Sequence, residues 1–192
     1  MRSLSSLGLG LGCAFASVLV LSNQAQAEER AITQQDVEGY LEAIQQEAVE
    51  IVRDQDGRRM VEWIERNIAE GAVFQVSFNV VHGDQPKGFA SLTLDRDDML
   101  RVGGVFAGAF QQQGIEDYSL QMELGQVIAH GSSAATVQVR WTETLALASG
   151  KEPGAGQVTI EQVADCSHII ERTGEDDRLR IGLSTCTGEM RF

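Results

Sequence analysis

A chain of 192 residues with 28 acidic and 15 basic side chains, net charge −13, repels phosphate backbones and anionic lipid surfaces, which sets nucleic acid and membrane surfaces aside as partners. Apolar residues make up 43% and prolines number only two, a composition that folds rather than one that stays disordered.

The first 27 residues read as a secretory leader. Arg2 supplies a positive start, Leu7 to Leu21 an apolar run thinned by glycines, and Ala25-Gln26-Ala27 a small-x-small cleavage site. The apolar run is short for a membrane span, which needs about 20 residues. Cys13 lacks the large aliphatic residue three positions earlier that a lipid-attachment motif requires, since Gly10 stands there. Removing the leader, which holds Arg2 and no acid, takes the charge to −14 and leaves residues 28–192 as a single domain. The expected location is periplasmic or secreted, with no membrane insertion after cleavage.

Asp36 is placed to cap a helix whose Val37, Tyr40, Leu41, Ile44, Ala48, Ile51 and Val52 recur at spacings of three and four. "DQDG" at Asp54 to Gly57 interrupts it. A second helix turns Met60, Trp63, Ile64 and Ile68 inward and is expected to stop at Gly71. Period-two alternation then begins, with Phe74, Val76, Phe78 and Val80 on one face. "HGDQPKG" reads as a turn and "FASLTL" as the returning strand, with Val81 opposite Phe89, so that Phe78 meets Leu92.

"DRDD" at Asp95 to Asp98 is read as a helix start: Asp95 caps, and Asp97 and Asp98 suit the positive end of the dipole. That third helix carries Met99, Leu100, Val102, Val105, Phe106, Ala109 and Phe110 inward and ends at Gly114. Gly103, Gly104 and Gly108 weaken it in isolation and allow close approach to another element or room for a ligand.

From Tyr118 the chain is sheet. A two-residue Gly131-Ser132 turn sets Leu124 opposite Val139, Met122 opposite Trp141 and Tyr118 opposite Leu145. "ASGKEPGAGQ", Ala148 to Gln157, is a loop. In the last hairpin, Asp176 lies midway between Cys166 and Cys186, so a turn around it places the cysteines face to face, Ser167 opposite Thr185 and Ile169 opposite Leu183. Facing Cα atoms about 4.5 Å apart are within disulfide reach, and an exported chain meets an oxidising compartment. Buried free thiols and a metal site shared with His168 are the rival readings, though the spacing matches no familiar zinc pattern.

The order helix, helix, hairpin, helix, then four long strands, carried by "VEWIERNIAEGAVFQVS", "DRDDMLRVGGVFAGAF" and "ATVQVRWTETLAL", resembles the nuclear transport factor 2-like superfamily, which includes ketosteroid isomerase and SnoaL-like cyclases. The resemblance implies an α+β fold, with three helices packed on a strongly curved antiparallel sheet that forms a cone with an apolar pocket. It transfers no catalytic motif to this chain.

One candidate site follows from the alternation. Glu143 continues the Val137, Val139, Trp141 face, where desolvation would raise its pKa toward acid–base use. If Trp141 pairs with Asp165, then Glu143 and Asp165 share a pocket with Trp141, Tyr118, Met122, Phe78, Phe106 and Phe110. His168 is expected on the Cys166 face, opposite that pocket, while His82 and His130 open turns. No Ser-His-Asp arrangement or phosphate loop is visible, so no cofactor and no metal are implied. Three functions stand as expectations. The first is a binder of a small apolar molecule. The second is a dimerisation module using a convex face with Val158, Ile160 and Ile170. The third is an acid–base enzyme using Glu143 and Asp165.

Overall fold

The computed structural model describes residues 30–103, 114–148, 157–173 and 177–192. The leader, Gly104 and Gly108 lie outside these residues.

Helix α1, Gln34–Asp54, buries the stripe expected of it: Val37, Leu41, Ile44, Ala48, Ile51 and Val52. Its cap is Thr33 rather than Asp36. The Thr33 hydroxyl accepts from the Asp36 amide, and the Asp36 carboxylate accepts from the Thr33 amide at 2.9 Å, closing a reciprocal capping box. Helix α2, Gly57–Asn67, starts on Asp56, whose carboxylate accepts from the Arg58 and Arg59 amides. It ends at Asn67, four residues before Gly71, because Ile68 already pairs with Ile181 in the sheet.

The strands are β1 (Ile68–His82), β2 (Gln85–Asp95), β3 (Ile115–His130), β4 (Ala134–Ala148), β5 (Gln157–Thr173) and β6 (Arg178–Arg191). They form one curved sheet in the order β2-β1-β6-β5-β4-β3. The sheet is mixed, not purely antiparallel: β1 runs parallel to β6. This insertion makes the last hairpin the centre of the sheet rather than an edge. Between β2 and β3 the chain is helical over 96–103. Its start is a second reciprocal box: the Asp98 amide donates to Asp95 at 2.7 Å and the Asp95 amide to Asp98. A Cβ at Gly103 would lie 3.0 Å from Ile64 Cδ1 and 3.3 Å from Met60 Cγ, so this glycine serves close packing on α2.

Two hairpins reach their registers by unexpected routes. Between β1 and β2 the turn is only Gly83-Asp84, with Gly83 at φ 57°, and a bulge at Val80/Val81 follows. Phe78 therefore meets Ala90, and Leu92 meets Val76. The shift is by two residues, so each side chain keeps its face. Between β3 and β4 the turn has three residues, because His130 pairs with Ala134. A bulge between Leu124 and Val127 takes the extra residue back, and Leu124–Val139, Met122–Trp141 and Tyr118–Leu145 pair as expected.

One face of the sheet is covered by the helices and carries the main core, including Val37, Leu41, Ile44, Ile64, Ile68, Val137, Val139 and Ile170. Helix α1 also guards the β3 edge. Gln45 accepts from the Met122 amide at 2.8 Å, and the Arg53 guanidinium donates to the Tyr118 carbonyl at 2.9 and 3.1 Å. Backbone groups that would otherwise template another strand are thus used.

Candidate functional site on the inner sheet face

The strand registers arrange the inner face in rows. Met122, Trp141, Ala164, Gly188, Phe78 and Ala90 form one. On one side of it lies the row Leu120, Glu143, Gln162, Met190, Val80 and Gly88. On the other side come Leu124, Val139, Cys166, Cys186, Val76 and Leu92, then Val137, His168, Ser184 and Phe74.

The disulfide forms: Cys166 and Cys186 face each other, Cα atoms 4.1 Å apart, both sulfurs buried. With Phe78 and Ala164 they make a small cluster against which Trp141, Val76 and Met190 pack. The row beside the disulfide has little volume. A Cβ on Gly188 would stand 2.1 Å from the Val163 carbonyl oxygen and 2.8 Å from Ala164 Cβ. On the β5 side of Trp141, the next two positions of its row are therefore held by two of the smallest residues, Ala164 and Gly188.

Of the expected site residues, Tyr118, Met122, Trp141, Phe78 and Glu143 do share this face. Tyr118 is buried in a cluster with Leu120, Ala48 and Val52, joined by Met122, Trp141 and Leu145. Glu143, opposite Leu120 on β3, lies diagonally across from it on the same face. Part of Glu143 stays accessible, but burial among its neighbours pushes its pKa up; the Tyr118 hydroxyl opposes this only in part. Burial, and secondly the Glu143 charge, raise the Tyr118 phenol well above its ordinary range. Phe106 and Phe110 lie outside the described residues.

Asp165 is not in the site. The β4–β5 register differs by one from the expected one: Trp141 pairs with Ala164, and Asp165 pairs with Arg140. Asp165 thus points outward, 74% exposed, 3.3 Å from the Arg140 guanidinium. The slip is favourable because it buries Ala164, Cys166 and Ile170 while sending Glu161, Asp165 and Glu171 to the other face. The pair of carboxylates is not assembled.

The same slip moves His168 inside. It shares the Cys166 face, as expected, but that face is the Trp141 face. Its Nδ1 is buried without a hydrogen-bond partner among the described residues, and burial alone lowers its pKa to about 4. Trp63 and Trp141 also bury Nε1 groups that lack a partner among the described residues. Buried polar atoms are normally satisfied, so water or a ligand is expected to complete them. His168, Gln162 and Ser184 are inner-face polar residues that sequence reading missed; the signal was the odd-numbered placing of the acids in β5. His82 and His130 are exposed, as expected, and bond Phe192 O and Thr136 Oγ1.

The convex face differs from expectation as well. Val158, Ile160 and Ile170 all belong to the inner side, because they alternate with the outward Glu161, Asp165 and Glu171. The outer face is instead polar, with Gln75, Ser77, Gln138, Ser167, Thr185 and Thr187. A depression of about 230 Å³ on that side is lined by Glu123, Gly125, Gln138, Arg140 and Asp165, where the β3 bulge opens the surface. Among the described residues no cluster of potential metal ligands occurs, and no helix is long and apolar enough to cross a membrane.

Comparison with solved structures agrees with this architecture. The β subunit of benzoate 1,2-dioxygenase from Burkholderia mallei aligns with TM-score 0.51 and 10% identity, over 83% of this chain and 92% of that one. A conserved protein from Planctomyces limnophilus aligns with TM-score 0.51 and 10% identity, over 81% and 98%. A nuclear transport factor 2-like superfamily protein from Salmonella enterica aligns with TM-score 0.49 and 9% identity, over 82% and 94%. The first two share this fold, helices packed on one face of a six-stranded mixed sheet. At these identities the likeness is one of fold alone. No family model matches the sequence, and no curated protein matches it. What the chain does therefore rests on the inner face of its sheet.

Proposed function

We propose that this protein is exported to the periplasm or the exterior and there binds a small, largely apolar molecule against the inner face of its sheet. The observation that carries the reading is the mixture on that face. Half-buried apolar side chains, Phe74, Val76, Trp141 and Met190, stand among polar groups that lack a full set of protein partners: Glu143, Trp141 Nε1 and His168 Nδ1. Small-molecule sites are built this way, from an apolar surface with a few convergent polar anchors. The disulfide fits an oxidising compartment.

Native mass spectrometry of the purified protein, followed by denaturation and extraction, tests the reading. A stoichiometric small molecule released by denaturation is expected, and its apparent mass should vanish in a variant that fills the face, Ala164→Trp. A protein that runs at its bare polypeptide mass, and whose Trp141 fluorescence responds to no apolar compound, refutes it.

A further inference from the structure

Glu143 is the acid that the strand register puts on the inner face, between Leu120 and Gln162 and two residues from Trp141. The side chains at i and i+2 of a strand lie on one face, roughly 7 Å apart. Tyr118, two residues from Leu120 on the same face of β3, is buried behind this spot. Every other acid in β4 and β5 points outward, and Asp165 there has Arg140 for company. Glu143 has no such company: among the described residues no basic side chain forms an ion pair with it, and Arg53 is turned to the Tyr118 carbonyl and to Asp117.

A desolvated carboxylate without a counter-charge is costly, and evolution of an apolar face has no need of one. A cation arriving with the ligand removes that cost. The carboxylate would accept a charge-assisted hydrogen bond, and the face of half-buried Trp141 would attract the same positive head by its quadrupole. The apolar body of such a molecule would run along the neighbouring row, over Trp141 toward Phe78 and Val76. Anionic amphiphiles are disfavoured by Glu143 and by the net charge of the whole chain.

We infer that the ligand is an amphiphilic amine: its ammonium head sits on Glu143 beside Trp141, and its apolar body lies along the inner sheet face. This rests on the small-molecule reading above and adds the sign of the head group.

The test compares three probes of one chain length, octylammonium, octan-1-ol and octanoate, by calorimetry and Trp fluorescence on the purified protein. Octylammonium is expected to bind about 10- to 100-fold tighter than octan-1-ol, with octanoate weakest. Glu143→Gln should bring the amine down to the level of the alcohol. Asp165→Asn, which changes the net charge equally but on the outer face, should leave the preference intact. Equal binding of amine and alcohol by the unaltered protein overturns the inference, as does loss of the preference in Asp165→Asn. In either case the small-molecule reading stands. If none of the three probes binds, that reading falls and the inference with it. Should Glu143→Gln fail to fold, the ranking of the three probes on the unaltered protein decides.

Discussion

His168 offers a sharp test of the inner-face assignment, because its titration should be visible in stability. The imidazole lies between Val137 on β4 and Ser184 on β6, both buried, with Cys166 and Ile170 flanking it on its own strand. No carboxylate faces it from these positions, so burial lowers its pKa from 6.5 to about 4 with nothing to oppose the shift. The unfolded chain therefore binds a proton that the folded chain refuses between pH 6.5 and about 4. Stability is full above the unfolded value and is lost as pH falls through that window. At 1.36 kcal/mol per pH unit the loss amounts to about 3 kcal/mol. His168→Leu removes both the titration and the unpartnered Nδ1. Urea denaturation of the two proteins at a series of pH values from 7 to 4 should give curves that converge or favour the variant at pH 7 and separate steadily below pH 6.5, with the variant increasingly the more stable. Parallel curves across that range would show that His168 is solvated, and the β4–β5 register described above would then be wrong.

Glu143 should show the opposite slope: its raised pKa means that folding favours the protonated form, so its contribution weakens as pH rises from the ordinary carboxylate range through the raised value. Glu143→Gln keeps the size and polarity of the side chain without the charge and should be more stable than the unaltered protein at pH 8, with the gain shrinking toward pH 4; thermal melts at the two pH values check this. Replacing both Cys166 and Cys186 by alanine opens a loop of 20 residues' separation and should cost about 3 kcal/mol, a fall in Tm of roughly 6–12 °C, measured by calorimetry on oxidised protein; an unchanged Tm would mean that the bridge is absent in solution. Gly188→Ala drives a methyl group into the Val163 carbonyl and the backbone of Ala164, which cannot rotate away as a side chain could, so a loss of about 3 kcal/mol or failure to fold is expected, read from soluble yield and Tm.

Much of the local structure was legible in the residues. The stripe of α1 was visible because its apolar spacing fits one helical face and little else. The pairing of Cys166 with Cys186 followed from a hairpin whose strands and turn are contiguous, where the midpoint nearly determines the register. The β3–β4 pairs were read correctly for a reason only partly understood beforehand. The apolar match of Met122 with Trp141 and Tyr118 with Leu145 was strong enough to hold, while the turn gained one residue and the bulge absorbed it.

The site itself was half legible. Period-two alternation put Glu143 on the Trp141 face, and the fold keeps it there. Asp165 and His168 were misplaced together, because both depend on one number, the register across the loop that joins β4 to β5. A pattern of period two states which residues share a face but not which of two faces is inside, and the alternation within β4 does not carry over to β5. Glu161, Asp165 and Glu171, all odd-numbered, held the hint: three charges on one face of a central strand mark that face as the outer one.

The sequence by itself determined the helices, the three hairpins and the disulfide, since each depends on contacts between near neighbours in the chain. Only the tertiary structure decided that β1 would slip in parallel beside β6, that β5 and β6 would become the middle of the sheet, and that His168 rather than Asp165 would look inward. Those outcomes depend on the total apolar surface that whole strands and helices can hide together, a sum over distant segments that no local pattern contains.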